Sequence, residues 1–196
     1  MRNLNYLKMV MENRGLVYGK DPVKLDIGAG GYSTDKTFLS VDLFTKADIN
    51  APMAELPLPR NSVDVIHASQ CLEHIGKFDV VPTLKEWRRV LKPGGIAQIF
   101  VPDLEWVCWW WLTHQTVSWD LDVLFGNQKH EGEYHKTGFT PKILKDYVDA
   151  AGGFTVTRIE YVGGNLRDIE YGDNNLIHGV VDARSIGMEV KKNAAT

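Results

Sequence analysis

The 196-residue chain has few cysteines, no long apolar run and no excess of positive charge. Its two cysteines, Cys71 and Cys108, lie inside apparent secondary structure without framework spacing, which excludes a disulfide-stapled scaffold and points to a reduced, cytoplasmic protein. No apolar stretch reaches the length needed to cross a bilayer, and the first residues, MRNLNYLKMVMENRG, are too polar for the apolar segment of a signal peptide. The formal charge is −3, so the basic surplus that phosphate backbones attract is missing and a nucleic-acid partner is disfavoured. There is also no internal repeat and no low-complexity linker. With 44% hydrophobic and 24% charged residues, the chain has the mixture of one soluble domain with a sizeable core.

The pattern of apolar residues then gives the elements. Leu4, Leu7 and Met11 fall on one helical face, predicting a short amphipathic helix over residues 3 to 13. Strand-type runs follow at 23–27, 38–42, 47–49 and 63–69. Val80, Leu84, Trp87 and Leu91 make a helical stripe that KPGG (92–95) stops, and IAQIFVP (96–102) reads as a strand covered on both faces. Thr140 is placed to cap a helix with Pro141 in its first turn. Ile143, Leu144, Tyr147, Val148 and Ala151 are expected to form its buried face, and Gly152 ends it. Two more strands are expected at about 155–161 and 176–183, and the terminal KKNAAT is expected to fray. Strands alternating with helices predict an α/β domain with a largely parallel sheet, whose ligands bind beyond the carboxyl ends of the strands.

At such an end lies the most informative stretch, KLDIGAGGYSTDKTFLSVDL (24–43). Gly28 and Gly30 fit the start of a dinucleotide fingerprint, but its third glycine position holds Ser33. Asp42 follows Gly28 by only 14 residues, leaving no room for a full helix and hence no helix end for a pyrophosphate. A nucleoside without phosphate suits the turn better. Glycines let the backbone approach it closely, Asp42 can accept both ribose hydroxyls, and Asp26 can face a positively charged group. The structural alternative is that Gly28, Gly30 and Gly31 only permit a tight turn.

LDIGAGG with VDL, LPLPRNSVDVIHASQCLEHI, EWRRVLKPGGIAQIFVPD and HKTGFTPKILKDYVDAAGGF occur in this order over residues 24 to 154. Together they make the chain resemble the class I S-adenosylmethionine-dependent methyltransferases, and within them the small methyltransferase type 11 group of bacterial and phage enzymes. The resemblance implies a Rossmann-like, mostly parallel seven-stranded sheet with the last strand antiparallel, here with a shortened first helix after the glycine turn. It implies S-adenosylmethionine as cofactor. Asp26, Gly28, Ala29 and Gly30 would line its methionine and ribose part, Asp42 with Leu43 beside it would bind the ribose hydroxyls, and Ser69 and Gln70 would flank it. Two positions depart from the pattern. Tyr32 stands where the last glycine is usual, and Pro52 stands where an adenine-reading acid is common, which leaves that task to backbone near Met53 or to Asp48.

The whole of 1–196 then reads as a single methyltransferase domain, with 1–20 as a helical extension and 104–139 as an insert forming a lid over the acceptor pocket. Methyl transfer from a sulfonium needs alignment and exclusion of water more than a strong acid or a metal, and a general base matters when the acceptor is a hydroxyl. His135 or His130 is the expected base, with Asp103 as its orienter or as a substrate contact, although a histidine before a capped helix can simply satisfy loop carbonyls. His67 and His74 are expected to be structural. No spacing matches a metal motif, and no metal is assigned. Five of the six tryptophans lie between residues 106 and 119. Trp106, Trp109 and Trp110 share a helical face that would serve as core, as a homodimer surface, or as aromatic platforms for a flat substrate. The acceptor expected is a small molecule or saccharide with an oxygen or nitrogen nucleophile. The rival readings are a non-catalytic binding module that keeps the fold, and a nicotinamide-dependent oxidoreductase, which fails on the glycine pattern.

Overall fold

The structure is a computed structural model and describes residues 3–31, 35–114, 119–163, 166–171, 175–180 and 184–194. In chain order the elements are α1 (Leu4–Asn13), β1 (Lys24–Ile27), β2 (Phe38–Asp42), β3 (Ile49–Asn50), β4 (Val63–Ser69), α2 (Val80–Val90), β5 (Leu91–Pro102), α3 (Leu104–His114), α4 (Trp119–Phe125), α5 (Pro141–Ala151), β6 (Phe154–Val162), β7 (Leu166–Tyr171), β8 (Asn175–Val180) and β9 (Ser185–Lys192). Seven strands form one sheet in the order β3-β2-β1-β4-β5-β9-β6, while β7 and β8 pair only with each other. β1 to β5 run parallel, and β9 lies antiparallel between β5 and β6.

Alternation along the strands gives the sheet two unlike faces. Leu25, Leu39, Ile66, Ala97, Met188 and their alternate neighbours are buried in one cluster with Leu84 and Trp87 of α2 and Leu144 and Val148 of α5. Burial of each such large aliphatic side chain contributes roughly 1.5–3 kcal/mol. On the other face the strand register sets Ser40, Asp26, His67, Gln98 and Glu189 side by side in a polar row. Gln98 donates to Glu189 at 3.2 Å, and Ser40 donates to Asp48 at 2.9 Å. Among the described residues no helix lies between β1 and β2, as the short interval in the sequence requires.

Four sequence expectations are corrected. In α1 the buried stripe is Leu7, Val10 and Met11, whereas Leu4 in the first turn is exposed. KPGG does end α2, but the four residues lie within β5, and regular pairing with β4 resumes at Val65 opposite Ile96. The antiparallel strand of the sheet is Ser185–Lys192, not 176–183; Asn175–Val180 belongs to the separate hairpin. The reason is visible in the side chains. Ile186, Met188 and Val190 alternate into the core, so the lysines first assigned to a fraying tail sit on a paired strand. The ends of α5 match their signals: Thr140 Oγ1 accepts from the Ile143 N–H at 3.2 Å, and Gly152 ends it at φ +68°, but of the expected buried face Ile143 is exposed while Leu144, Val148 and Ala151 are buried.

Candidate active site

Sheet order reverses between β1 and β4, and the crevice this opens at their carboxyl ends is where an α/β sheet binds ligands. A pocket of about 460 Å3 occupies it, lined by Gly28 and Gly30 after β1, Asp42 to Thr45 after β2, Ala51 to Ala54, and Gln70 and Cys71 after β4. Gly28, at φ +71°, is fixed by a close approach, because a Cβ there would stand 2.3 Å from the Cβ of Cys71. Gly30, at φ +60°, differs: a Cβ there would meet nothing within 4 Å. That open space faces the pocket and leaves room for a ligand against the backbone.

Asp42 is the carboxylate on the sheet side of this pocket. Its Oδ1 accepts from the N–H groups of Phe44 and Thr45, both at 2.8 Å, and its Oδ2 from the Gly30 N–H at 2.9 Å. Burial opposes its ionisation, but the backbone donors of Thr45, Gly30 and Phe44 outweigh that and hold the carboxyl below its ordinary value. Three of the roughly four lone-pair sites of a carboxylate are used, so Oδ2 can accept one more donor such as a ribose hydroxyl. The segment 53–58, whose residues Met53 and Ala54 line the pocket, is held in place by α2. The Trp87 indole donates to Met53 O at 3.0 Å, Glu86 accepts from the Leu56 N–H at 3.0 Å, and Arg89 donates to the carbonyls of Leu56 and Leu58. Asp48 is turned away onto Ser40 and Arg14, so of the two adenine options only the Met53 segment borders the pocket.

The segment 126–138 roofs the pocket. Gly132 lies against the Phe44 ring, His130 stacks at a tilt on the same ring at 5.7 Å, and His130, Gly132 and Glu133 line the space beneath. Beside it is a second cavity of about 430 Å3, lined by Gln70, His74, Val123, Gly126, Glu133, His135 and Ser185 among others. Gln70, His74 and Glu133 border both spaces. Gln70 holds this partition from a left-handed backbone conformation, φ 53°, with its N–H on Phe100 O and its amide nitrogen on Ser185 Oγ at 3.0 Å.

His135 is pinned in the wall of the second cavity: its N–H reaches Phe125 O, and its Nδ1 lies 2.8 Å from Val123 O. A carbonyl can only accept, so Nδ1 carries the proton and Nε2 is left with its lone pair. Burial lowers the pKa of this ring and keeps it neutral near pH 7. The His74 ring meets it edge-on at 4.7 Å, and burial followed by the proximity of His135 lowers the pKa of His74 as well. Glu73 is 1% exposed, and burial pushes its carboxyl up to about 8.

Of the expected cofactor residues, Gly28, Gly30, Asp42, Leu43, Met53 and Gln70 line the first pocket. Ala29 sits in the turn with its N–H on Val41 O, Asp26 lies in the polar row of the sheet face, and Ser69 pairs in register with Phe100. His130 borders the first pocket and His135 the second, so the structure does not bring the two together on one space beyond the shallow surface of their own loop. Asp103 reaches neither histidine. It is fully buried, accepts from the Glu105 and Trp106 N–H groups at the start of α3, and is paired with Arg184 at 2.6 Å. Trp106 and Trp110 stack at 5.6 Å as a small core with Val107, but Trp109, expected on the same face, is 50% exposed, like Trp111. At about 100° per residue, positions 109 and 111 fall on either side of the stripe formed by 106, 107 and 110. Phe44 and Cys71 were not anticipated, nor was Glu73; the last two stand in the CLEHI segment, whose position before a helix was the signal available.

The reversed parallel sheet with one antiparallel strand between β5 and β6, a glycine turn after β1 and a hydrogen-bonded carboxylate after β2 define the class I methyltransferase architecture. The comparisons with known proteins agree. A family model described as a methyltransferase domain matches residues 15–99. A 61-residue stretch is 39% identical to a protein of Mycolicibacterium smegmatis named "Probable S-adenosylmethionine-dependent methyltransferase", covering 31% of this chain and only 23% of that protein's length. Solved structures of similar fold include the YcgJ protein of Bacillus subtilis, with TM-score 0.59 and 13% identity over 98% of this chain and 100% of that one. A SAM-dependent methyltransferase of Methanosarcina mazei aligns with TM-score 0.56 and 15% identity over 95% and 98% of the two chains. The 1,6-didemethyltoxoflavin-N1-methyltransferase of Burkholderia thailandensis, solved with bound S-adenosylhomocysteine, aligns with TM-score 0.53 and 16% identity over 97% and 78%. The fold is that of the class I S-adenosylmethionine-dependent methyltransferases, and the methyltransferase domain model over residues 15–99 together with the matching stretch of the relative supports S-adenosylmethionine as the cofactor. No described helix is long and apolar enough to cross a membrane.

Proposed function

We propose that this protein is a methyltransferase that moves the methyl group of S-adenosylmethionine to an oxygen or nitrogen nucleophile of a small molecule or saccharide, in the cytoplasm. The observation that carries the reading is the pair of adjoining cavities with Gln70, His74 and Glu133 as their common wall. One has the glycine turn and the Asp42 carboxylate that suit a nucleoside, and the other is of a size for a small acceptor.

When bound, S-adenosylmethionine supplies a methyl group already activated on a sulfonium. Asp42 would hold the ribose, Gly28 and Gly30 would let the backbone close on it, and the Met53 segment would meet the adenine. Phe44, His130 and Gly132 would exclude water from above. In the second cavity the bare Nε2 of His135 would take the proton of an acceptor hydroxyl as it is methylated, with Gln70 and Glu133 positioning the acceptor. His130, roofing the first pocket, serves as a contact there rather than as the base. The exposed Trp109, Trp111 and Leu112 of α3 support self-association through that helix.

The test is calorimetric titration with S-adenosylmethionine, S-adenosylhomocysteine and NAD. Transfer of labelled methyl from S-adenosylmethionine to a panel of sugars and small amines would follow. Binding of the two sulfur ligands and not of NAD, lost in Asp42→Ala, is expected. Folded protein that binds neither sulfur ligand would refute the enzyme reading and leave a binding module.

A further inference from the structure

We propose that Glu73, His74 and His135 form a binding site for one divalent transition-metal ion beside the second cavity, which the two histidines line. Each residue offers one ligand atom, and the three atoms lie within 4.8 Å of one another. Ligands at about 2.0–2.2 Å from a common ion stand roughly 3–3.5 Å apart, so about an ångström of side-chain movement closes the site.

The state of the ligands argues for an occupant. Glu73 is 1% exposed, and neither oxygen of its carboxyl group has a hydrogen-bond partner among the described residues. A buried carboxyl with nothing to bind is costly, and a cation within reach removes that cost. The His74 Nδ1 is likewise buried without a partner. His135 is already set as metal-binding histidines are, with one ring nitrogen donating to a backbone carbonyl and the other left bare. The two segments that carry the ligands are also stitched together: the N–H groups of Lys136 and Thr137 both donate to the Glu73 carbonyl, at 2.7 and 3.1 Å. The Thr137 hydroxyl donates to Ile75 O at 2.7 Å. Ligands from distant parts of the chain are thus held in place by backbone contacts that do not need the ion.

Two imidazoles and one carboxylate with further positions open suit iron(II), manganese, cobalt or zinc rather than calcium or magnesium, which prefer an all-oxygen shell. His74 and His135 line the second cavity, so an ion can enter from it. Glu133 borders the same cavity with its own Oε2 buried and unpartnered, a candidate additional ligand. If methyl transfer proceeds as proposed above, His135 in the metal-loaded protein is a ligand rather than the proton acceptor. That clause rests on the methyltransferase reading; the metal site does not.

The experiment is titration of chelator-treated protein with zinc chloride by calorimetry and with cobalt chloride by visible absorption, on wild type, Glu73→Gln and His135→Ala. S-Adenosylhomocysteine binding is measured on the same samples as a reading of the first pocket. One ion per chain is expected, with a ligand-field spectrum lacking thiolate bands and affinity reduced roughly tenfold or more in each variant. Folded wild-type protein that binds neither ion overturns the proposal, as does binding unchanged in both variants or a spectrum dominated by cysteine thiolate. S-Adenosylhomocysteine binding without metal binding removes the metal site alone. The reverse result removes the cofactor assignment and leaves the metal site standing.

Discussion

Gly28 and Cys71 meet so closely that a Cβ on the glycine would lie 2.3 Å from the Cβ of the cysteine. The ends of β1 and β4, the two strands that flank the reversal in the sheet, are held together by this contact. Gly28→Ala is expected to be destabilised by roughly 1–3 kcal/mol from overpacking, with roughly 1–2 kcal/mol more for a side chain in a left-handed conformation. Urea denaturation measures it. Cys71→Gly in the same chain should recover the overpacking part only, and an undiminished loss in the double variant would disprove the contact's role.

Asp42 couples the pocket to pH. Its folded-state pKa is lowered, so its contribution to stability is present above the ordinary carboxylate value of about 3.9 and disappears as pH falls through the lower folded value. The urea midpoint of Asp42→Asn should therefore lie below that of wild type near neutral pH and converge with it in acid. S-Adenosylhomocysteine affinity in the same variant should fall about 10- to 100-fold near neutrality, the size of a lost charge-assisted hydrogen bond of roughly 1.5–3 kcal/mol. Parallel curves at every pH would mean that the three backbone donors do not favour the ionised form.

Trp87→Phe keeps most of a fully buried ring but removes the donor to Met53 O. The orphaned carbonyl should cost roughly 1–3 kcal/mol, seen as a melting temperature lower by about 2–4 °C for each kcal/mol. Because that carbonyl belongs to a segment lining the first pocket, S-adenosylhomocysteine binding should weaken too. Equal melting with unimpaired binding would show that α2 does not hold the segment.

Arg184→Ala leaves the buried Asp103 carboxylate without its counter-ion. A partnerless buried charge costs roughly 3–5 kcal/mol, and the partial exposure of Arg184 places this one at the low end. Asp103→Asn added to Arg184→Ala should restore much of the loss. Turnover per folded molecule should be unchanged in the double variant, whereas a collapse of turnover at intact stability would return Asp103 to the chemistry.

What could be read from the sequence followed local physics. Thr140, Pro141 and Gly152 announce α5 because capping depends on neighbours in the chain, and the short interval from Gly28 to Asp42 excludes a full helix by length alone. The resemblance supplied the seven-stranded sheet with its one antiparallel strand. Assignments that depend on distant partners were the ones missed. Nothing near Asp103 in the chain announces Arg184, so a buried ion pair looked like a free carboxylate at a strand end. His130 and His135 are near in sequence but border different cavities, while His74, set aside as structural, is the ring that meets His135. For β9, the alternation of Ile186, Met188 and Val190 was present, but its place between β5 and β6 is fixed only by pairing.

Through the contact of Gly132 with the Phe44 ring, one segment borders both cavities. Residues 130–133 close over the first pocket, while Gly126, Asn127, Glu133 and His135 of the same segment wall the second. If cofactor and acceptor fill the two cavities as proposed, a movement of this segment to exchange one occupant would disturb the seat of the other, and by linkage the effect on affinity would be equal in both directions. Cofactor and acceptor would then report on each other's presence through a glycine that carries no chemistry at all.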